Sequence, residues 1–418
     1  LELKQQDKIT APYKIYGENF IEPQALAQFY EVMKLESVVQ GALLPDAHLG
    51  YTMPIGMVCA TRNVISPQFV GFDIGCGACA LQLPYKRYEI EKYSKEIFDS
   101  IYRSIPTGLG GKNTHRRSKP IEDWDYDHLP RSEMLDGVMK NGGLADLASL
   151  GSGNHMAEIG YDEDNNVWVS IHSGSRSVGH ICATHWMKLA SETDKAKDGL
   201  FGFDTASEDG ILYGMDLEFC LQFALENRKR MMQRIIKEIK HYLKGDKQVD
   251  WTKLINRNHN HAEYKIKEDY FIHRKGVTHS EKDMDGIILG NMRDGIAIVK
   301  GKGNPDSLNS SSHGAGRVLS RTKAKELLSM DAFENQMKGI TAKVEKGTID
   351  ESPSSYKDFH KVLKEQEDLI NIIHIIKPII NIKAAGGRGN RNRKTKTRKL
   401  AIEAARAQEA EAAINDCL

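Results

Sequence analysis

Long hydrophobic runs are missing from this 418-residue sequence. No stretch approaches the roughly 18 uninterrupted apolar residues of a membrane-spanning helix, and the N-terminal LELKQQDKIT has no apolar signal core. No membrane partner is expected. The chain begins at Leu1 rather than Met, which suggests processing or trimming. Cysteine is also scarce. The six cysteines, at 59, 76, 79, 182, 220 and 417, lack the dense even spacing of a secreted disulfide scaffold, so a reducing, cytoplasmic setting is expected. Nor is there an excess of one charge: 58 Lys and Arg face 57 Asp and Glu, and any attraction for nucleic acid must come from local patches.

Two nucleotide-handling motifs are absent as well. No GxxxxGK[ST] loop occurs; in the nearest candidate, PTGLGGKN, Pro106 stands where the first glycine should be and Asn113 follows the lysine. There is no KxDG tetrapeptide, the lysine-nucleophile motif of ATP- or NAD-dependent ligases and capping enzymes. If the chain activates phosphate ends, another residue must do it.

What is present is ordinary globular material, 40% hydrophobic and 28% charged, enough for one large domain or two smaller ones. From about 41 to 82, short apolar runs broken by glycine (GALLPDAHLGYTMPIGMVCA, then VGFDIGCGACALQL) read as strands joined by tight turns. Residues 105–135 carry Gly, Pro and charge without periodicity and read as a long surface loop of the flap type. Helical spacing with a charged opposite face predicts an amphipathic helix over 215–244, whose Met and Leu residues are read as packing. Strand-like text returns at 284–321, a second helical stretch is expected near 322–346, and IIKPIINIK at 375–383 reads as a closing strand. After Lys383, seven Lys and Arg lie between 388 and 399 with no acid, followed by an Ala/Glu-rich tail. That appendage is equally readable as an RNA-phosphate contact arm and as a solvated terminus.

Histidine carries the chemical signal. Of fifteen, several sit in Gly-, Ser- or Asn-rich turns: His48 in DAHLG, His155 in GSGNHMAE, His172 in IHSGSR, His259 and His261 in NHNHAE, His273 in HRKG and His313 in SSSHGAGR. Any one alone is more simply a structural histidine; together, beside Asp73 and Cys76 in GFDIGCG, they suggest a metal centre. Carboxylate, thiolate and imidazole suit Zn, Mn or Co, and a thiolate can bridge two ions. Cys76-Gly-Ala-Cys79 has redox CxxC spacing, but a thioredoxin-like motif should open a helix and ACALQL reads as a strand.

In order and spacing, PDAHLGYTMPIG, GFDIGCG, LGSGNHMAE, HSGSR, HNHAE, HRKG, GKGNPDSLNSSSHGAGR, DESPSSYKD and KPIINIK resemble the RtcB family of RNA-splicing ligases over roughly 41–383. The resemblance implies an α+β fold with mixed sheets and surrounding helices around a central metal cleft, residues 1–383 forming the ligase domain and 384–418 a tail. It implies two Mn(II) per chain, with Cys76 bridging, Asp73 and His155 serving one ion, and His172 and His259 the other. His313 matches the histidine that takes GMP from GTP. Asn154, Glu158, Asn260, Gly290, Asn291, Met292, Gly314, Ala315, Gly316, Tyr356 and Lys383 match positions that hold GTP, and Gly314 and Gly316 are expected to let the backbone approach the nucleotide and aim N–H groups at it. Asp46 and Arg176 match residues near the RNA end; Arg176, Arg274, Lys275 and Arg317 are candidate phosphate contacts.

The activity so implied joins an RNA 3′-phosphate or 2′,3′-cyclic phosphate to a 5′-hydroxyl, in RNA repair or tRNA splicing, and leaves an activating partner protein open. One stretch departs from the family: LGNMRDGI has Leu289, Asn291, Arg293 and Ile296 where Pro, Ser, Gly and Ser are usual, so GTP is expected to be held differently there. Two other readings stay open, a dimetal RNA phosphodiesterase or cyclic-phosphate hydrolase, and a non-catalytic RNA-binding repair protein.

Overall fold

The computed structural model describes residues 1–108, 110–113, 121–193 and 199–384. The basic tail after Lys383 therefore lies almost wholly outside the described residues, as does part of the expected 105–135 loop. The rest of that loop is irregular as far as the helix Glu133–Lys140.

Two large sheets dominate the α+β architecture. One has five strands in the order Tyr13–Ile15, Val38–His48, Ile55–Thr61, Tyr270–Lys275, Asn260–Lys265. The other has eight. Its path runs Asp285–Leu289, Ile296–Gly301, Ile370–Lys383, Met156–Tyr161, Asn166–Ser173, Gly77–Lys86, Ile255–Asn258, with Thr341–Ala342 paired to Ile370–Lys383. Both sheets are mixed, each combining one parallel pair with antiparallel ones.

The expected amphipathic helix is longer than its periodicity suggested, running Glu208–Leu243. Ser207 caps it by accepting from Gly210 N, acidic Glu208 and Asp209 sit in the first turn, and basic Lys240 and His241 in the last, all matched to the helix dipole. Its apolar face buries Leu217, Phe223, Met231 and Ile235 against Ile97 and Ile101 of the helix Ser94–Ser104 and against Leu81 and Val169 of the eight-stranded sheet. Each such side chain contributes about 1.5–3 kcal/mol relative to exposure. The helical stretch near 322–346 resolves into two short helices, Arg321–Leu327 and Met330–Gln336, because Ser320 and Ser329 each cap a new start.

A separate cluster of Val58, Ala60 and Ile272 from the five-stranded sheet with Ile288, Ala297 and Val299 from the larger one holds the two sheets together. Among the described residues no helix is long and apolar enough to cross a membrane.

Candidate metal centre and nucleotide cavity

Four adjacent strands of the eight-stranded sheet end at one point. Ala78 pairs with His172, Gly77 with Asn258, and Met156 with His172, so the residues just outside these strands converge. The turn Asp73–Cys76 precedes the strand Gly77–Lys86, as the strand reading of ACALQL required. Gly75 there has φ +70° and lies against the long helix, where a Cβ would come within 2.7 Å of the Ala224 Cβ. Backbone bonds from His259 N to Cys76 O (2.7 Å) and Gly75 N to Asn260 O (2.8 Å) lock this turn to the segment carrying His259.

Cys76 is shared by two donor groups, Asp73–Cys76–His155 and Cys76–His172–His259. Its Sγ lies 3.4 Å from His155 Nε2 and 3.2 Å from His172 Nε2; His172 Nε2 is 3.2 Å from His259 Nε2, and His155 Nε2 is 2.9 Å from Asp73 Oδ2. His155 Nδ1 donates to the Leu150 carbonyl at 3.0 Å, which places its proton there and turns the Nε2 lone pair toward Asp73 and Cys76. Burial, reinforced by neighbouring cationic groups, pushes the pKa of His172 and of His259 well below 6.5, so both imidazoles are neutral. Burial alone would raise the Asp73 pKa, but His155 and Arg176 outweigh it and hold it well below 3.8. A carboxylate, a thiol and three neutral-capable imidazoles with their lone pairs turned inward fit two divalent cations sharing one sulfur. Burial and Asp73 push the Cys76 thiol well above 9.0, a balance that a cation would reverse.

Beneath this centre sits Arg228 of the long helix, a residue that the sequence reading did not single out. Fully buried, it donates to the carbonyls of Gly75 (2.9 Å) and Ser173 (2.8 Å) and to Asn256 Oδ1 (2.7 Å) and Asn258 Oδ1 (2.6 Å). It ties together the segments bearing Cys76, His172 and His259. Burial lowers its pKa to about 10, so it remains charged near neutrality.

The centre opens into a cavity of about 910 Å³. His313 lines it, its ring centroid 4.7 Å from that of His259. Of the other positions expected to hold a nucleotide, Asn154, Asn260, Gly290, Asn291, Gly314, Ala315, Gly316, Tyr356 and Lys383 line the cavity. Glu158 and Met292 do not. Met292 is buried in a small core with Phe333, Met337 and Ile349. Glu158 accepts from Asn381 Nδ2 at 2.7 Å, and burial raises its pKa to about 8 although Asn381 and Lys383 oppose the shift.

Glycines 314 and 316 line the cavity and are also held by contacts within the protein. A Cβ on Gly314 would come within 2.9 Å of Leu289 O, and one on Gly316 within 2.2 Å of Asp46 O, so both are required by protein packing. The N–H groups of Gly314 and Ala315 are likewise spent internally, on Asp46 Oδ2 (3.2 Å) and Leu289 O (2.8 Å). The divergent 289–296 turn is self-satisfied: Asn291 Oδ1 accepts from the N–H groups of Arg293 and Asp294, both at 3.0 Å, and its Nδ2 donates to Asp294 Oδ2 at 2.6 Å.

Asp46 and Arg176, expected near the RNA end, lie behind the wall. Asp46 is fully buried with Oδ2 2.8 Å from His313 Nδ1, an ion-pair-length approach without the angle of a well-directed hydrogen bond. Arg176 packs beside Ser149 Oγ (3.3 Å) and His155 Nδ1 (3.5 Å). Among the other candidate phosphate contacts, Lys275 and Arg317 line the cavity. Arg274 is fully buried elsewhere, paired with Glu263 at 2.5 Å. His261 falls in that same separate cluster with Glu263 and His279, and His273 is a core histidine accepting from Ser66 N at 3.0 Å. His48 reaches the cavity wall, and burial lowers its pKa to about 4.

Sequence reasoning missed Glu351. Within DESPSSYKD it gathers Lys383 Nζ (2.8 Å), Tyr356 OH (2.6 Å), Arg317 Nη1 (3.3 Å) and Arg321 Nη1. Burial would raise its pKa, but Lys383 and Arg321 hold it well below 4.5. Only its place inside a quoted motif could have flagged it.

A sequence profile described as tRNA-splicing ligase RtcB matches residues 28–384. The chain belongs to the RtcB family. An RNA-splicing ligase RtcB of Escherichia coli is 30% identical over 403 aligned residues, covering 89% of this chain and 97% of that protein. A tRNA-splicing ligase RtcB of Nanoarchaeum equitans is 28% identical, covering 91% and 97%, and one of Methanococcus maripaludis 28%, covering 87% and 92%. The RtcB match begins within the helix Pro23–Met33 and reaches the end of the strand that carries Lys383, so it takes in every donor and the whole His313 turn. The five described cysteines, Cys59, Cys76, Cys79, Cys182 and Cys220, are free and buried.

Proposed function

We propose that this RtcB-family chain is an RNA ligase that joins a 3′-phosphate or 2′,3′-cyclic phosphate end to a 5′-hydroxyl end through a GMP adduct on His313, in RNA repair or tRNA splicing. The observation that carries this reading is the sharing of Cys76 between two donor groups, with His313 next to His259 in one cavity. Asp73, Cys76, His155, His172 and His259 would hold two Mn(II) ions, which supply charge neutralisation for phosphate groups. Residues 1–383 would form the ligase domain, with 384–418 as an appendage. A cytoplasmic setting belongs to the same reading.

His313 meets Asp46 at Nδ1, so Nε2 is the nitrogen with a lone pair to offer. Burial would raise the Asp46 pKa, but His313 keeps it below 3.8, and an ionised Asp46 would stabilise the positive charge that develops on the ring. In the first step Nε2 attacks the α-phosphorus of GTP; a P–N bond forms, the bond to the bridging oxygen breaks, and pyrophosphate leaves. An oxygen of the RNA 3′-phosphate then takes GMP from His313, giving RNA-ppG and a free imidazole. Finally the 5′-hydroxyl attacks the RNA 3′-phosphorus and GMP departs. A cyclic phosphate is first opened by water. Lys275, Arg317 and Arg321, which line the cavity wall, would bind phosphate oxygens.

The test is incubation with Mn(II) and α-labelled GTP, followed by denaturing gels at acidic and neutral pH for wild type, His313→Ala and Cys76→Ala. Acid-labile label dependent on His313 and metal supports the ligase. Absence of label with any divalent ion sinks it in favour of a dimetal phosphodiesterase, which needs the donors but neither His313 nor GTP.

A further inference from the structure

One group of side chains on the cavity wall has no place in the chemistry above. Tyr51 lines the cavity and is 64% exposed. Its ring meets that of Phe72 edge-on, centroids 5.9 Å apart at 85°, and Phe72 in turn stacks on His180 at 5.5 Å and 29°. Phe72 immediately precedes the donor Asp73, so this aromatic ladder leads directly from the metal centre to the rim.

The ring is mounted on a fixed loop. Gln28 of the helix Pro23–Met33 donates to the carbonyls of Gly50 (2.9 Å) and Tyr51 (3.0 Å) and accepts from Gly50 N (3.0 Å), while Glu22 accepts from Leu49 N (2.7 Å). Gly50 closes the turn so tightly that a Cβ there would lie 2.2 Å from Met53 O. An exposed aromatic held this firmly has lost little further entropy to give up on binding a flat partner. The same cavity is lined by Lys275, Arg317, Arg321, Lys323 and Lys383, which favour a polyanion. A flat apolar face beside phosphate-binding cations is the chemistry of a nucleotide with an unpaired base.

We infer that Tyr51, braced by Phe72 and His180, is a stacking subsite for the unpaired base at the 3′-phosphate end of the RNA strand. The inference rests on the ligase reading for the identity of that strand. Stacking is indifferent to base identity, because every base offers a π face, so the subsite positions an end without selecting a sequence. Phe72 and His180 act as positioning residues by fixing the angle of the Tyr51 ring.

The experiment uses the full chain and a short single-stranded RNA 3′-phosphate whose terminal base is 2-aminopurine. Wild type should quench its fluorescence, Tyr51→Phe should quench it equally, and Tyr51→Ala should not. Tyr51→Ala should also raise the RNA concentration for half-maximal ligation by about 5- to 150-fold, the effect of losing one base–aromatic stack. An RNA ending in an abasic 3′-phosphate nucleotide should bind wild type and Tyr51→Ala alike. The inference is overturned if Tyr51→Ala still quenches, or if it weakens abasic and base-bearing RNA by the same factor. It is overturned too if the variant instead raises the GTP concentration needed to label His313 in step, since the stacked base would then be guanine. Because the fluorescence arm needs no GTP, a chain that quenches yet never takes up GMP would disprove the ligase and still uphold the subsite.

Discussion

His313 Nδ1 lies 2.8 Å from Asp46 Oδ2, across 267 residues of sequence, and the same carboxylate oxygen accepts the backbone N–H of Gly314 at 3.2 Å. One buried acid thus fixes both the ring and the backbone of the turn that carries it. Asp46→Asn keeps the shape but removes the charge that steadies an imidazolium. Labelling of His313 by GTP should slow by roughly 10²-fold or more, by the reasoning that applies to the carboxylate of a catalytic triad. A rate within threefold of wild type, measured by label incorporation over time, would show that Asp46 only packs.

Cys76 belongs to both donor groups, whereas His155 belongs to one and His259 to the other. Titration of Mn(II) followed by calorimetry should therefore show Cys76→Ala weakening every bound ion. His259→Ala should weaken one step and largely spare the other. The Cys76 loss should exceed the roughly 10- to 100-fold cost of removing an outer partner of a ligand. Equal patterns for the two variants would mean that the sulfur is not shared.

Arg228→Met would strand the carbonyls of Gly75 and Ser173 and two asparagine side chains in a dry interior. Each buried acceptor left without a donor costs about 1–3 kcal/mol, the sum to be read from urea unfolding. A variant of unchanged stability would refute the bracing role.

Burial lifts the Glu158 pKa from the ordinary 4.5 to about 8. The folded protein then holds a proton there that the unfolded chain releases, so this group's contribution is full below about pH 4.5 and is lost as pH rises to about 8. Over that window stability should fall by up to about 1.4 kcal/mol per pH unit from this residue. Glu158→Gln should flatten the slope in urea midpoints measured across the range; an unchanged slope would assign it to other groups.

Local chemistry was legible from sequence, and distant partnership was not. The Asp73–Cys76 turn, the strand after Cys76 and the histidine-bearing turns were visible because glycine and alternation mark them within a few residues. The long helix was underestimated at its start because Gly210 and Gly214 dilute the pattern, while Ser207 supplies the cap that rescues it. Arg274 looks in sequence like Lys275, yet strand alternation turns it to the other face, where it meets His261 and Glu263; His259 sits in the break before the strand Asn260–Lys265, whereas His261 lies within it. The roles of Asp46, Arg228 and Glu351 depend on partners far along the chain, and no local pattern announces them.

The strand Ile370–Lys383, the last described strand in sequence, lies in the interior of the eight-stranded sheet, between Ile296–Gly301 and Met156–Tyr161. During synthesis, all five metal donors and His313 would leave the ribosome before the piece that joins the two halves of their sheet. A prematurely terminated chain would own every reactive group but lack the strand that joins the half of the sheet carrying the donors to the half whose Leu289 pairs with Gly314 beside His313. The two halves of the cavity wall are therefore joined within the sheet only by a segment that is the last of the described strands to be made.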